Sequence, residues 1–232
     1  MGKIINKLVI CAILVLFCMP FNSMATGLGI YIPTVGSGST SLDISSSDLF
    51  EDHTINPDIS HFGFGFVLDT KVANPGVFNY RLNIGYESVT LDFNDDPGYL
   101  DYNYFINDKF SRYSIDNTFG FAVLQSEIVR LWLGPQIRLS YMRFNREFES
   151  GNLNINLINF GIAPVLGANF NLGGVFTLAP ELGYRISIYG GSLSISDILI
   201  MSDNSYDENW SLSAKEFYLK LNIIFRINDY YF

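Results

Sequence analysis

The chain has 232 residues, enough for one domain or at most two. It carries 14 Lys and Arg against 23 Asp and Glu, a net charge of −9. That balance excludes nucleic acid as a partner, which demands basic patches.

Residues 1–25 have the layout of a secretory signal peptide. Lys3 and Lys7 form a positive start, Leu8 to Met19 an apolar run, and Ser23-Met24-Ala25 a small-x-small cleavage site. The run is too short for a spanning helix, which needs roughly 20 residues. Lipidation at Cys18 is disfavoured by the bulky Phe17 before it. Cleavage starts the mature chain at Thr26. Loss of Lys3 and Lys7 then leaves 12 basic residues against 23 acidic, a net charge of −11. Cys11 and Cys18 are lost as well, so the mature chain has no disulfide, thiol nucleophile or Cys-based metal site.

Beyond this point the signal is period 2, the mark of strands with two different faces. A weak first strand holds Leu28, Ile30 and Ile32. Phe62, Phe64, Phe66 and Leu68 then alternate with Gly63, Gly65 and Val67. Phe78, Tyr80, Leu82, Ile84 and Tyr86 alternate with Asn79, Arg81, Asn83 and Gly85. Further runs start near Tyr113, Val129, Phe160, Phe176 and Phe217, which makes eight strands. No strand of the seven clear ones carries a charge on its apolar face, and glycines gather on the other face. A soluble barrel would put its charges outside. Residues 26–232 therefore read as an all-β, eight-stranded antiparallel up-and-down transmembrane β-barrel, preceded by the cleaved signal peptide.

The connections support this. Residues 71–76, 125–127 and 171–174 are short, whereas 34–60, 93–111, 143–152 and 190–214 read as longer outer loops. Phe66, Phe78, Phe170, Phe176 and Phe225 form one aromatic girdle, and Tyr86, Tyr113, Tyr141, Tyr184 and Phe217 the other. Pro135, Pro164 and Pro180 share the lipid-facing parity and are expected at one height, with weakened pairing around them.

The inward positions include the cations Arg81, Arg130, Arg138, Arg185, Lys220 and Arg226. They also include Glu87, Asp116, Glu181 and Glu216. An eight-stranded interior is just wide enough for side chains, so these charges are expected to pair, plug the lumen and make a poor diffusion pore. An arginine at inward Gln136 is expected to be tolerated far better than one at outward Leu133.

The chain resembles the small eight-stranded outer-membrane proteins of the OmpA-barrel, OmpX and OmpW type, over its whole mature length and in its ending Asp229-Tyr230-Tyr231-Phe232. The resemblance implies residence in the bacterial outer membrane and an assembly signal at Phe232, read by the barrel-assembly machinery. Its OmpW side implies, as an alternative, a narrow or lateral-exit pore for small hydrophobic molecules.

Catalytic resources are thin. Of the two histidines, His53 lies in the first outer loop and His61 opens a strand with inward parity. Ser60-His61 is only a neighbouring pair, so a lipid-modifying enzyme is the least favoured reading. The outer loops are acidic, with Asp43, Asp48, Glu51, Asp52 and Asp58 in the Ser- and Gly-rich first one, which reads as mobile. They lack the ordered spacing of a calcium loop, and no metal or cofactor is read. The expected role is structural or surface-interacting. The partners expected are outer-membrane lipid and an extracellular ligand or host factor at the loops.

Overall fold

The computed structural model describes residues 27–45, 53–70, 77–92, 109–148, 151–172, 175–197 and 206–227. The expected signal peptide, the tips of the first, second and fourth outer loops, and Phe232 lie outside them. The described residues form nine strands: β1 (Gly27–Ser45), β2 (His53–Ile55), β3 (Asp58–Asp69), β4 (Phe78–Asp92), β5 (Lys109–Gln125), β6 (Val129–Phe148), β7 (Gly151–Leu172), β8 (Phe176–Asp197) and β9 (Tyr206–Arg226). All pairings are antiparallel. Each long strand pairs with the next, and β1 also pairs with β9, so eight strands close into an up-and-down barrel. Closure removes both sheet edges. The short β2 caps the outer end of β1.

Through the lower part of the long strands the outward positions are mostly apolar, many of them exposed, as at Phe66, Leu133, Ile162 and Leu219. The inward positions are buried and carry the charged and most of the polar side chains, as at Arg81, Asp116, Asn169 and Lys220. Only a surrounding that welcomes apolar groups and shuns charge stabilises that arrangement. Aromatic pairs brace both borders: Phe176 and Phe225 pack with tilted rings at 4.7 Å near the short turns, and Tyr86 and Tyr113 meet edge-on at 5.5 Å near the other end.

The strands are longer than a membrane requires. A spanning strand needs about 9–11 residues, whereas β6 to β9 have 20, 22, 22 and 21. β7 runs roughly 70 Å at about 3.3 Å per residue, or roughly 55 Å in height at the usual tilt, against an apolar band about 25 Å tall. The excess stands on the outer side. The sequence there reads as loops, and the structure corrects this: 143–152 is mostly strand, with only residues 149–150 between β6 and β7. The outer connections are therefore not uniformly the longer ones.

The physical reason is a change of phase. Above the upper girdle the apolar residues switch to the inward face: Ile59, Leu91, Phe110, Phe144, Ile155 and Leu212 are all buried. Their outward neighbours, such as Arg143, Ser213 and Lys215, are exposed. A strand that leaves lipid for water must exchange its faces, and the exchange looks like the end of the pattern.

Local devices fit the chain to this cylinder. β1 gains one residue between Tyr31 and Thr34 against both neighbours, a bulge that holds Pro33, which has no N–H to pair. It turns Tyr31 and Thr34 both inward. Tyr31 fits because Gly65 and Gly85 are opposed beneath it; a Cβ on Gly85 would stand 1.7 Å from the Tyr31 hydroxyl. Pro135 and Pro164 are direct cross-strand partners. The ladders lapse beside each, between Thr118/Gln136 and Phe121/Leu133 and between Ile162/Ile186 and Val165/Gly183, with the register kept. Pro180 does not join that row. It lies between Leu178, opposite Phe170, and Leu182, opposite Leu166, where the β7–β8 ladder lapses again.

The membrane boundary makes a prediction. Leu133→Arg, mid-band and half exposed, should cost roughly 2–4 kcal/mol in vesicle-based unfolding titrations. Ser213→Arg, outward on β9 but above the phase change, should cost little. Equal costs would contradict the boundary.

Candidate functional site: the barrel interior

The interior holds a stack of charged groups under an apolar core. Lowest, Arg81 on β4 donates from Nε to Asp69 on adjacent β3 at 2.8 Å, and reaches across the barrel to Glu181 on β8. Its guanidinium also donates to Asn169 at 2.9 Å and lies 5.0 Å from the Trp132 ring. Trp132 fits because Gly167 stands opposite, where a Cβ would approach its ring to 2.1 Å.

At mid-height Arg138 on β6 forks between two carboxylates. It donates to Asp116 at 2.6 and 2.9 Å and to Glu87 at 2.9 and 2.8 Å. Lys220 crosses from β9 to Asp116 at 2.8 Å and sits 4.6 Å from the Tyr31 ring centre. Arg185 donates to Gln136 Oε1 at 2.7 Å and lies over Tyr218, whose hydroxyl donates to the same oxygen at 3.0 Å. Gln136 Nε2 donates to Thr118 at 2.9 Å.

Uppermost, Arg112 joins Glu87 at 2.6 Å to Glu216 at 3.0 Å and donates to the Tyr189 hydroxyl at 2.8 Å. Arg185 lies 3.7 Å from Glu216, and His61 Nδ1 3.5 Å from it. Directly above begins the outer core of Ile59, Val89, Leu91, Phe110, Met142 and Phe144 with residues of β7 to β9. Phe110 and Phe144 pack there with tilted rings at 4.8 Å.

Asp69, Glu87, Asp116, Glu181 and Glu216 thus face Arg81, Arg112, Arg138, Arg185 and Lys220, five against five, all with fully buried side chains. Buried charges need partners of this kind, because an uncompensated buried charge costs several kcal/mol. Of the other inward residues named from sequence, Arg130 is buried at the short-turn end and donates to the Val77 carbonyl at 3.4 Å. Arg226 is half-buried at the end of β9, opposite Gly27. Asp69 and Arg112 belong to the stack although the sequence reading left them out, and so does His61, read there only as an inward histidine. Their parity already pointed inward, two residues from Val67, Ser114 and Gly63 respectively.

The expectation for Gln136 needs correction. Its oxygen accepts from both Arg185 and Tyr218. An arginine there would lose both bonds and set two cations side by side, so position 136 is not a tolerant one.

No protein-family model matches the chain, and no curated protein does. Solved structures do. The outer membrane protein OprG from Pseudomonas aeruginosa is similar with a TM-score of 0.56 and 10% identity, over 90% of this chain and 99% of that one. AlkL, solved in lipid bilayers, gives 0.49 at 9% identity, over 91% and 94%. The outer membrane protease OmpT from Escherichia coli gives 0.43 at 13%, over 89% and 100%. Apolar wall, charged lumen and closed antiparallel sheet define a bacterial outer-membrane β-barrel. Within that class it is a small eight-stranded barrel, and the likeness to OprG is one of fold.

The stack predicts a specific energetic signature. Arg138→Met removes the cation that Glu87 and Asp116 share and leaves each with a single partner, Arg112 or Lys220, which should cost about 3 kcal/mol in unfolding from vesicles. Adding Asp116→Asn should recover part of that loss. Additive losses in the double variant would contradict the coupling.

Proposed function

We propose that this protein is a non-conducting outer-membrane barrel with a structural or surface-interaction role. The observation that carries the reading is the doubly filled interior: cross-barrel ion pairs at membrane height, and an apolar core above them. Arg81 to Glu181, Arg112 to Glu216 and Lys220 to Asp116 each tie opposite walls. An eight-stranded barrel has no spare width beside such bridges. The outer extension then serves as a rigid stalk that lifts the acidic connecting segments clear of the lipid, where they meet an extracellular ligand or host factor.

The lateral-pore alternative draws on the lapsed ladders at Pro135, Pro164 and Pro180. The interior at that height is occupied by Gln136, Ala163, Val165, Arg185 and Tyr218, all buried, which favours the sealed reading. A lipid-modifying enzyme needs its histidine within reach of acyl chains. His61 is instead buried inside the barrel against Glu216.

Planar-bilayer recording tests the proposal. The protein should show near-zero conductance, rising in Glu181→Ala or Arg138→Ala. A stable conductance like that of a general porin in the unaltered protein would contradict it.

A further inference from the structure

The exposed cations are not scattered. Among the described residues they are Lys109, Arg143 and Lys215, all just outside the upper girdle, on a chain that is acidic as a whole. Two of them stand over the same patch of wall. Cross-strand register orders that patch into rows. Phe64, Tyr86, Tyr113, Tyr141 and Ile158 form one row across β3 to β7. The next row outward is Phe62, Ser88, Ser111, Arg143 and Asn156, with its polar members on β4 to β7. Lys109, opposite Thr90, stands one row further. Below the aromatic row the wall is indented by an apolar groove of about 670 Å³, lined by Ile32, Phe64, Ile84, Ile115, Leu139 and their neighbours.

We propose that this patch binds a membrane lipid with an anionic phosphate headgroup, Arg143 and Lys109 holding the phosphate and the groove seating an acyl chain. The order from groove to aromatic row to cations matches the order of hydrocarbon, interface and phosphate in a leaflet. Arg143 and Lys109 form no ion pair with protein among the described residues, so their charge is available. Polar groups surround them: the Tyr86 hydroxyl lies 3.2 Å from Ser111 Oγ, and the Tyr141 hydroxyl donates to Asn156 Oδ1 at 2.6 Å. That last bond leaves the Asn156 amide NH₂ free of it. The carboxylates on this face, Asp58, Asp92 and Glu147, stand further out than Lys109. They repel a phosphate from above and leave the cation level to it. Lys215 lies on the other side of the barrel, opposite Ile186 on β8.

Electron spin resonance of spin-labelled lipids in phosphatidylcholine vesicles tests this, with folding checked by heat-modifiable gel migration. The full chain should select spin-labelled phosphatidylglycerol over spin-labelled phosphatidylcholine. Each of Arg143→Gln and Lys109→Gln should lower that selectivity by roughly fivefold, from about 1 kcal/mol per basic residue near an anionic surface. Arg143→Lys should keep most of it, and so should Lys215→Gln. No selectivity in the unaltered protein, or unchanged selectivity in Arg143→Gln, would overturn the proposal. So would an equal loss in Lys215→Gln, or displacement of the lipid by inorganic phosphate, which would mark an anion site rather than a lipid site.

Discussion

An eight-stranded barrel encloses side chains but no solvent, and the rest of this structure follows from that limit. Inward charges must be partnered, while the outward face answers to whatever surrounds the wall. In lipid the outward face is apolar, so strands that were apolar on both faces would be continuous hydrophobic runs. Runs of that kind approach the pattern of a membrane helix. Polar inward residues keep the strands alternating, and closure then obliges those residues to neutralise one another. Above the lipid the surroundings reverse, and the faces exchange. The interior becomes an ordinary apolar core, and the same wall continues as a water-exposed stalk.

The charged stack contributes specificity more than raw stability. Buried ion pairs rarely outdo well-packed apolar groups, but a missing partner is costly. Glu87 and Asp116 share Arg138, and Glu216 draws in Arg112, Arg185 and His61. A strand slipped by one residue would turn these groups into lipid and break several pairs at once. Tyr31 and Trp132 add a second lock, since each ring fills space that glycines on the facing strands leave open.

The membrane-spanning strands were legible because lipid imposes a strict outward pattern, and parity alone turned Arg81, Glu87, Asp116 and Glu216 inward. What parity could not supply was partnership. Arg81 meets Glu181 and Lys220 meets Asp116 only because closure brings opposite walls together. Arg112 was passed over because the apolar outward pattern stops at Tyr113 and the strand was ended there. The same cause hid the outer extensions: Met142 and Phe144 follow Tyr141 in the opposite phase. The extra residue of β1 at Pro33 was invisible for want of a strong pattern on either side of it.

At the height of Trp132 the filled interior should be closed to bulk water and to the ions it carries. The chain has two tryptophans, so Trp210→Phe leaves Trp132 as a single reporter. Its side chain is fully buried between Arg81 and Gly167. Acrylamide and iodide quenching of that variant, folded in lipid vesicles, measures the claim directly. A blue-shifted emission that resists both quenchers is the predicted result. Ready quenching by aqueous iodide would show a wet lumen and contradict the account.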